Sequence, residues 1–204
     1  MSDRQLDVLF VNADSSFKAY QELSRNYSAI EPPTWSLLLA QSCRAKGFGV
    51  AILDCTAERL TELEAIRRVE QANPRLVCFV VYGQNPNSGT TNMIGTASLA
   101  ERLKQADPQY RICLVGSHVS ALPSEVLALD SVDIILLNEG VYALHSLLQS
   151  DLNDDLPKIR GIGHKQAGVP VLNPPERVVP QERMDIDLPG YAWDLLPSIS
   201  RPLD

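Results

Sequence analysis

The chain has few of the residues that announce a common chemistry. Its four cysteines, Cys43, Cys55, Cys78 and Cys113, lie far apart, with no C-x-x-C pair to bind zinc or cycle between thiol and disulfide. Three of them fall within apolar helix- or strand-like runs, and all four read as buried free thiols. Its three histidines, His118, His145 and His164, are too dispersed to suggest a metal cluster by spacing. There is no Lys/Arg-rich run, and a formal charge of -7 with a pI near 5.0 argues against nucleic acid, which is bound mostly through clustered cations. No window reaches the roughly 18 apolar residues of a membrane span. The opening MSDRQLDVLFVNAD has no basic region followed by a long apolar core, so the chain reads as cytoplasmic, with no membrane partner.

What is present is a regular alternation. At 204 residues and 45% hydrophobic content the chain can bury a full core. Leu6 to Val11, Val50 to Asp54, Leu76 to Tyr82, Ile112 to Val115 and Val132 to Leu137 are short runs rich in Val, Ile and Leu. They show little polar alternation, as expected of strands covered on both faces. Between them the spacing predicts helices over Thr34 to Lys46, Glu58 to Asn73, Thr90 to Gln105, Ser124 to Leu129 and Tyr142 to Gln149. Gly47, Asn73-Pro74 and Asp107-Pro108 punctuate the ends of the first three, and Pro33 sits where a first-turn proline is tolerated. Strand then helix, repeated, implies right-handed crossovers: an α/β fold with a doubly wound, Rossmann-like (flavodoxin-like) five-stranded parallel sheet.

After Ser150 the grammar changes. Asp151 to Lys158 reads as a polar linker, and Ile159 to Lys165 with Val169 to Asn173 as a small hairpin turning at Gln166-Ala167-Gly168. The remainder is a proline-rich tail without a clear period. The expected organisation is a Rossmann-like domain over residues 1–150, then a hairpin and linker over 151–204.

In an open parallel sheet, ligands bind beyond the carboxyl ends of the strands. That places attention on Gly116-Ser117-His118 and Asn138-Glu139-Gly140. A dinucleotide fold would want G-x-G-x-x-G after the first strand, but the chain reads Asn12-Ala13-Asp14-Ser15-Ser16-Phe17. A P-loop is missing, as is G-x-S-x-G. A phosphoacceptor aspartate is missing too, since the third strand ends Val81-Tyr82-Gly83. The connection from Asn12 to Pro32 is longer than the usual about four to six residues, which favours a functional loop. The stretch GQNPNSG, Gly83 to Gly89, offers amides, hydroxyls and close backbone approach, although Asn-Pro-Asn-Ser is also ordinary turn chemistry. Such loops suit a large neutral or amphiphilic ligand better than a triphosphate.

Glu31-Pro32-Pro33 leading into LLLAQSCRAKGFGVAILD, then VGSHVSALPSEVL, VDIILLNEG, IRGIG and DIDLPGYAWDLL occur in one order across nearly the whole chain. Together they resemble the amino-terminal cobalamin-binding domain of cobalamin-dependent radical S-adenosylmethionine (SAM) enzymes. The resemblance implies cobalamin at the carboxyl end of the sheet, near Asn12 and Ala13 of the first loop. Its nucleotide tail would be lined by Tyr82, Gly83, Val115, Gly116 and Ser117. The corrin and its amide arms would meet Asn85, Asn87, Ser88, His118, Val119, Ser120, Asn138, Glu139 and Gly140. The chain departs from the family at Val115-Gly116-Ser117, where two glycines and a proline are common, and at Asn138-Glu139-Gly140-Val141, where Gly-Glu-Gly-Glu is common. A differently shaped pocket is left open there.

The Asp-x-His-x-x-Gly motif that supplies a lower axial histidine is absent, since Asp14-Ser15-Ser16 lacks the imidazole. Cobalamin is therefore expected without a protein histidine on cobalt. His118 has a plainer reading as a helix cap, Glu139 as a carboxylate favoured by a helix amino terminus, Trp35 as packing, and Trp193 as an anchor for the tail. Asp185, Asp187 and Asp194 read as solvated or capping residues. The four cysteines cannot supply the C-x-x-x-C-x-x-C motif of radical SAM catalysis, which the family places downstream of Trp193-Asp194-Leu195-Leu196. The resemblance thus implies a non-catalytic cofactor module of a radical SAM methyltransferase-like enzyme. A downstream radical SAM domain of the same polypeptide would hold SAM and a [4Fe-4S] cluster. The alternative is a Rossmann-like domain that has lost cobalamin and serves as a protein-interaction or small-ligand module.

Overall fold

Short, largely buried parallel strands alternate with helices, and a terminal hairpin completes one mixed sheet. The computed structural model describes residues 6–14, 31–82 and 86–197, and of residues 86–91 the backbone path. The strands are β1 (Val8–Asn12), β2 (Val50–Asp54), β3 (Leu76–Val81), β4 (Ile112–Gly116), β5 (Ile134–Leu136), β6 (Ile162–Gln166) and β7 (Val169–Leu172). Their order is β2-β1-β3-β4-β5-β6-β7. The first five are parallel, and β6 and β7 run antiparallel. The expected count of five strands is thus extended to seven, because the hairpin pairs with β5 and continues the sheet instead of standing beside it.

The hairpin turns at Ala167 (φ 51°) and Gly168 (φ 81°). Two successive left-handed residues between Gln166 and Val169 give a primed turn, whose twist matches that of the strands it joins.

Helices α1 (Thr34–Ala45) and α6 (Val141–Gln149), with the tail, cover one face. The other face is covered by α2 (Glu62–Ala72), α3 (Pro86–Ala106), α4 (Ser117–Ala121) and α5 (Pro123–Leu127). Every residue of β3 and β4 is buried, which explains their unbroken apolar sequences. All four cysteines are buried and free, as their apolar surroundings imply.

Helix boundaries follow local chemistry. Helix α2 begins four residues later than its apolar period suggests, because Thr61 and Glu64 form a capping box that fixes its start. It ends at Asn73, which takes the left-handed conformation (φ 42°) before Pro74. Helix α3 begins at Pro86, earlier than expected, since proline is at home in a first turn. The helix expected over Ser124 to Leu129 is α5, which starts one residue earlier at Pro123, and a further helix, α4, precedes it, the two divided where Leu122 before Pro123 leaves the helical region (φ −129°, ψ 54°).

The tail is docked. A short helix α7 (Met184–Asp187) carries Asp187, only 2% exposed, against α1 and α6. Its carboxylate accepts from Arg183, from the Tyr142 hydroxyl at 2.7 Å and from Lys46 at 3.0 Å, and its carbonyl accepts from the Ser42 hydroxyl. Ser42 also meets His145 Nε2 at 3.0 Å. Asp194 takes a bidentate grip on Arg44, at 2.6 and 2.9 Å. Asp187 is therefore neither solvated nor a cap but the hub of a buried network. Nor does Trp193 anchor the tail: it is 54% exposed and its ring lies tilted 5.4 Å from that of Tyr191, while the fully buried Ala192 docks, its N–H donating to the Leu37 carbonyl.

Candidate functional site

The parallel strand order 2-1-3-4-5 reverses direction between β1 and β3, and the crevice outside the carboxyl ends of those strands is the default ligand position. Three strand ends converge there with α1. Beyond β3, Tyr82 is half-buried and its ring lies 5.0 Å from that of Trp35, in the first turn of α1. Its hydroxyl donates to the Asn138 carbonyl at 2.7 Å, spanning from the end of β3 to the end of β5. Burial first, and the Glu139 carboxylate second, push the Tyr82 phenol up to about 12, so it is a hydrogen-bond donor at neutral pH. Asn92 of α3 donates to the Tyr82 carbonyl at 3.2 Å.

Asn138 adopts the left-handed conformation (φ 54°), and its N–H donates to the Ser120 hydroxyl at 2.9 Å. Tyr82, Ser120 and Asn138 are thus joined in one chain of hydrogen bonds over the top of β4. At the end of β1, Asn12 Oδ1 accepts from the buried Ser36 hydroxyl at 2.8 Å.

Two glycines here serve the packing of the strands. A Cβ on Gly116 would lie 2.3 Å from the Val81 carbonyl oxygen, so only glycine permits β3 and β4 to close at this level. Gly140 caps α6 with φ 72°, and a Cβ there would come within 3.0 Å of Val115 and 3.1 Å of Leu136. Val115 itself is fully buried on the α1/α6 face, whereas Val119 is fully buried on the opposite face. Glu139 Oε2 accepts from the Val179 N–H at 2.9 Å, which ties the tail to the end of β5. A shallow cleft beside it is lined by Asn138 to Ala143 and by Glu176 to Val178.

The residues singled out from sequence fall into groups. Asn12, Tyr82, Ser120, Asn138 and Glu139 come to the strand ends and are partly or fully accessible, with Ala13 beside them. Ser117 and His118 stand in the first turn of α4, where a loop was expected, because the chain enters the helix directly from Gly116. Asn87 and Ser88 lie in the opening turn of α3, and Gly83 and Asn85 fall outside the described residues. Trp35 and Ser36 were not singled out as site residues. Their signal is positional: the first turn of the helix following β1 must stand at the carboxyl end of the sheet.

Among the described residues no group of three or more His, Cys, Asp or Glu could hold a metal ion. No helix among them is long and apolar enough to cross a membrane.

The family model described as B12 binding domain matches residues 23–148, more than half of the chain. Among solved structures, the radical SAM methyltransferase TsrM from Kitasatospora setae, with cobalamin and a [4Fe-4S] cluster bound, superposes with a TM-score of 0.62 at 16% identity. That match covers 87% of this chain and 30% of TsrM. OxsB, a cobalamin-dependent SAM radical enzyme with aqua-cobalamin and SAM bound, superposes with a TM-score of 0.63 at 18% identity, covering 89% of this chain and 23% of OxsB. The chain therefore spans less than a third of either protein. No curated protein sequence matches.

Proposed function

The chain belongs to the B12 binding domain family, and from that premise we propose that it is the cofactor module of a larger radical SAM enzyme, a methyltransferase in character. Cobalamin is its cofactor. The residues at the strand ends fit such a group. Cobalamin is a broad ring fringed with amides, and the crevice presents neutral donors and acceptors from Asn12, Ser120 and Asn138 beside the aromatic pair Trp35 and Tyr82. The observation that carries the reading is a pair of buried donors at that crevice, Asn12 Nδ2 and Trp35 Nε1, which have no partner among the described residues. Donors buried without an acceptor among the described residues leave room for one from a water or a ligand, and a bound cobalamin would supply it.

The cofactor supplies the capacity to carry a methyl group or to take part in a radical reaction. The chain's own residues bind it, orient it and keep water from one side of it. Asn12 and Ser120 offer polar contacts, Tyr82 holds the Asn138 loop at the end of β5, and Trp35 with Tyr82 forms an apolar wall. The absence of C-x-x-x-C-x-x-C assigns bond breaking to another part of the polypeptide, in keeping with the small share of TsrM and OxsB that this chain spans.

Adding hydroxocobalamin to the purified chain and passing the mixture over a sizing column tests the cofactor half of the proposal. A pink complex co-eluting with the protein is expected. A folded chain that elutes colourless at micromolar cobalamin would favour an interaction or small-ligand module instead. The catalytic half is checked by reading the coding sequence past Asp204 for the three-cysteine motif.

A further inference from the structure

Trp35 has the look of a packing residue, since its ring lies against Tyr82 and the core under α1. Its indole nitrogen does not fit packing alone, because it is buried and has no hydrogen-bond partner among the described residues. An indole N–H is a donor only, and leaving a buried donor unpaired is costly, so a position that serves packing alone would be filled at lower cost by phenylalanine. The second unpaired donor of the same region, Asn12 Nδ2, lies at the end of β1. The Ser36 hydroxyl donates to Asn12 Oδ1, which fixes the amide and leaves its NH₂ without an acceptor among the described residues. Ser36 follows Trp35 in α1, and β1 pairs with β3, whose end carries Tyr82. Both donors therefore stand at the switch point of the sheet, where β1 and β3 part.

We propose that Trp35 Nε1 and Asn12 Nδ2 form a two-donor clamp that grips an acceptor oxygen of the bound cobalamin. The inference rests on the cofactor assignment and adds to it a specific contact outside the residues implied by the family resemblance, Trp35. Two neutral donors, with an aromatic wall beside them, suit an oxygen that accepts without needing a cation. Cobalamin offers this chemistry from two sources, the amide carbonyls around the corrin and the phosphodiester of the nucleotide loop.

The test uses the chain itself, labelled with nitrogen-15, and follows the two indole signals by NMR as diamagnetic hydroxocobalamin is added. The Trp193→Phe variant assigns them, since Trp193 is exposed and distant from the strand ends in its contacts. The Trp35 indole proton is expected to move downfield and to gain protection from solvent exchange on binding. Trp35→Phe, which keeps a ring against Tyr82 but removes the N–H, is expected to weaken cobalamin binding by about 3–10-fold, the size of one net hydrogen bond. Repeating the titration with cobinamide, which has the amides but no nucleotide loop, separates the sources. A retained shift assigns a corrin amide, and a lost shift assigns the phosphodiester. Bound cobalamin that leaves the Trp35 indole unshifted overturns the clamp while the cofactor assignment stands. A folded chain that binds no cobalamin overturns both.

Discussion

The Tyr82 hydroxyl donates to the Asn138 carbonyl across 2.7 Å and so joins the ends of β3 and β5 over the intervening β4. Asn138 needs that support, because it holds a left-handed backbone conformation that a non-glycine residue does not adopt freely. Tyr82→Phe should lower stability by about 1 kcal/mol, the net worth of one partly exposed hydrogen bond. Urea unfolding checks the loss. Amide exchange should show faster opening at Asn138 and Glu139 with β3 unaffected.

Gly116 gives a sharper expectation. An alanine there would drive its methyl group into the Val81 backbone, which cannot rotate away, so β3 and β4 must separate at the level of the site. Gly116→Ala should cost about 3 kcal/mol, at the upper end for overpacking. Gly168→Ala, at a turn with φ +81° and nothing nearby, should cost only about 1 kcal/mol from backbone strain. Equal losses in the two variants would refute the close approach of the strands.

Acid should loosen the tail. The Arg183 guanidinium, then the Tyr142 hydroxyl and Lys46, hold the Asp187 carboxyl well below the usual carboxylate range. The folded chain thus binds that proton less readily than the unfolded chain. The resulting stability is fully present above the unfolded value near about pH 4 and is lost as pH falls below it. Burial, and then Lys46, lower the pKa of His145, so a second loss begins as pH drops below about 6.5, where the unfolded histidine takes up a proton. Asp187→Asn should reduce stability at pH 7 by about 2 kcal/mol, since Lys46 and Arg183 are partly solvated. It should also flatten the steeper acid limb. A thermal melt series from pH 8 to pH 3 reads both effects.

Cobalt should carry no protein imidazole. The chain from Asn12 to Pro33 contains no histidine, so the first loop has none to offer. Co(II) cobalamin bound to protein containing nitrogen-15 histidine should give the same paramagnetic resonance spectrum as the unlabelled protein. A change in nitrogen splitting on labelling would overturn this.

The alternation of strands and helices was legible because the five parallel strands are largely buried and so read as short apolar runs. The crevice was legible from strand ends such as Gly116 and Asn138. The partners of Asp187 were not, because Lys46 lies 141 residues away and no local period joins them. Trp35 looked like packing for a related reason. A sequence shows that a ring is apolar but not whether its N–H has met an acceptor. Boundaries shifted where short-range chemistry overrode periodicity, at the Thr61 and Glu64 cap and at Pro86.

Helix α1 is held at both ends. Its twelve residues make a stiff rod of about 18 Å. Its first turn carries Trp35 and Ser36 at the strand ends, and the far end of the segment, Arg44 and Lys46, is gripped by Asp194 and Asp187. The tail and the crevice are therefore two handles on one axle. The tail near Tyr191 and Trp193 is thus joined to the wall of the crevice through a single helix.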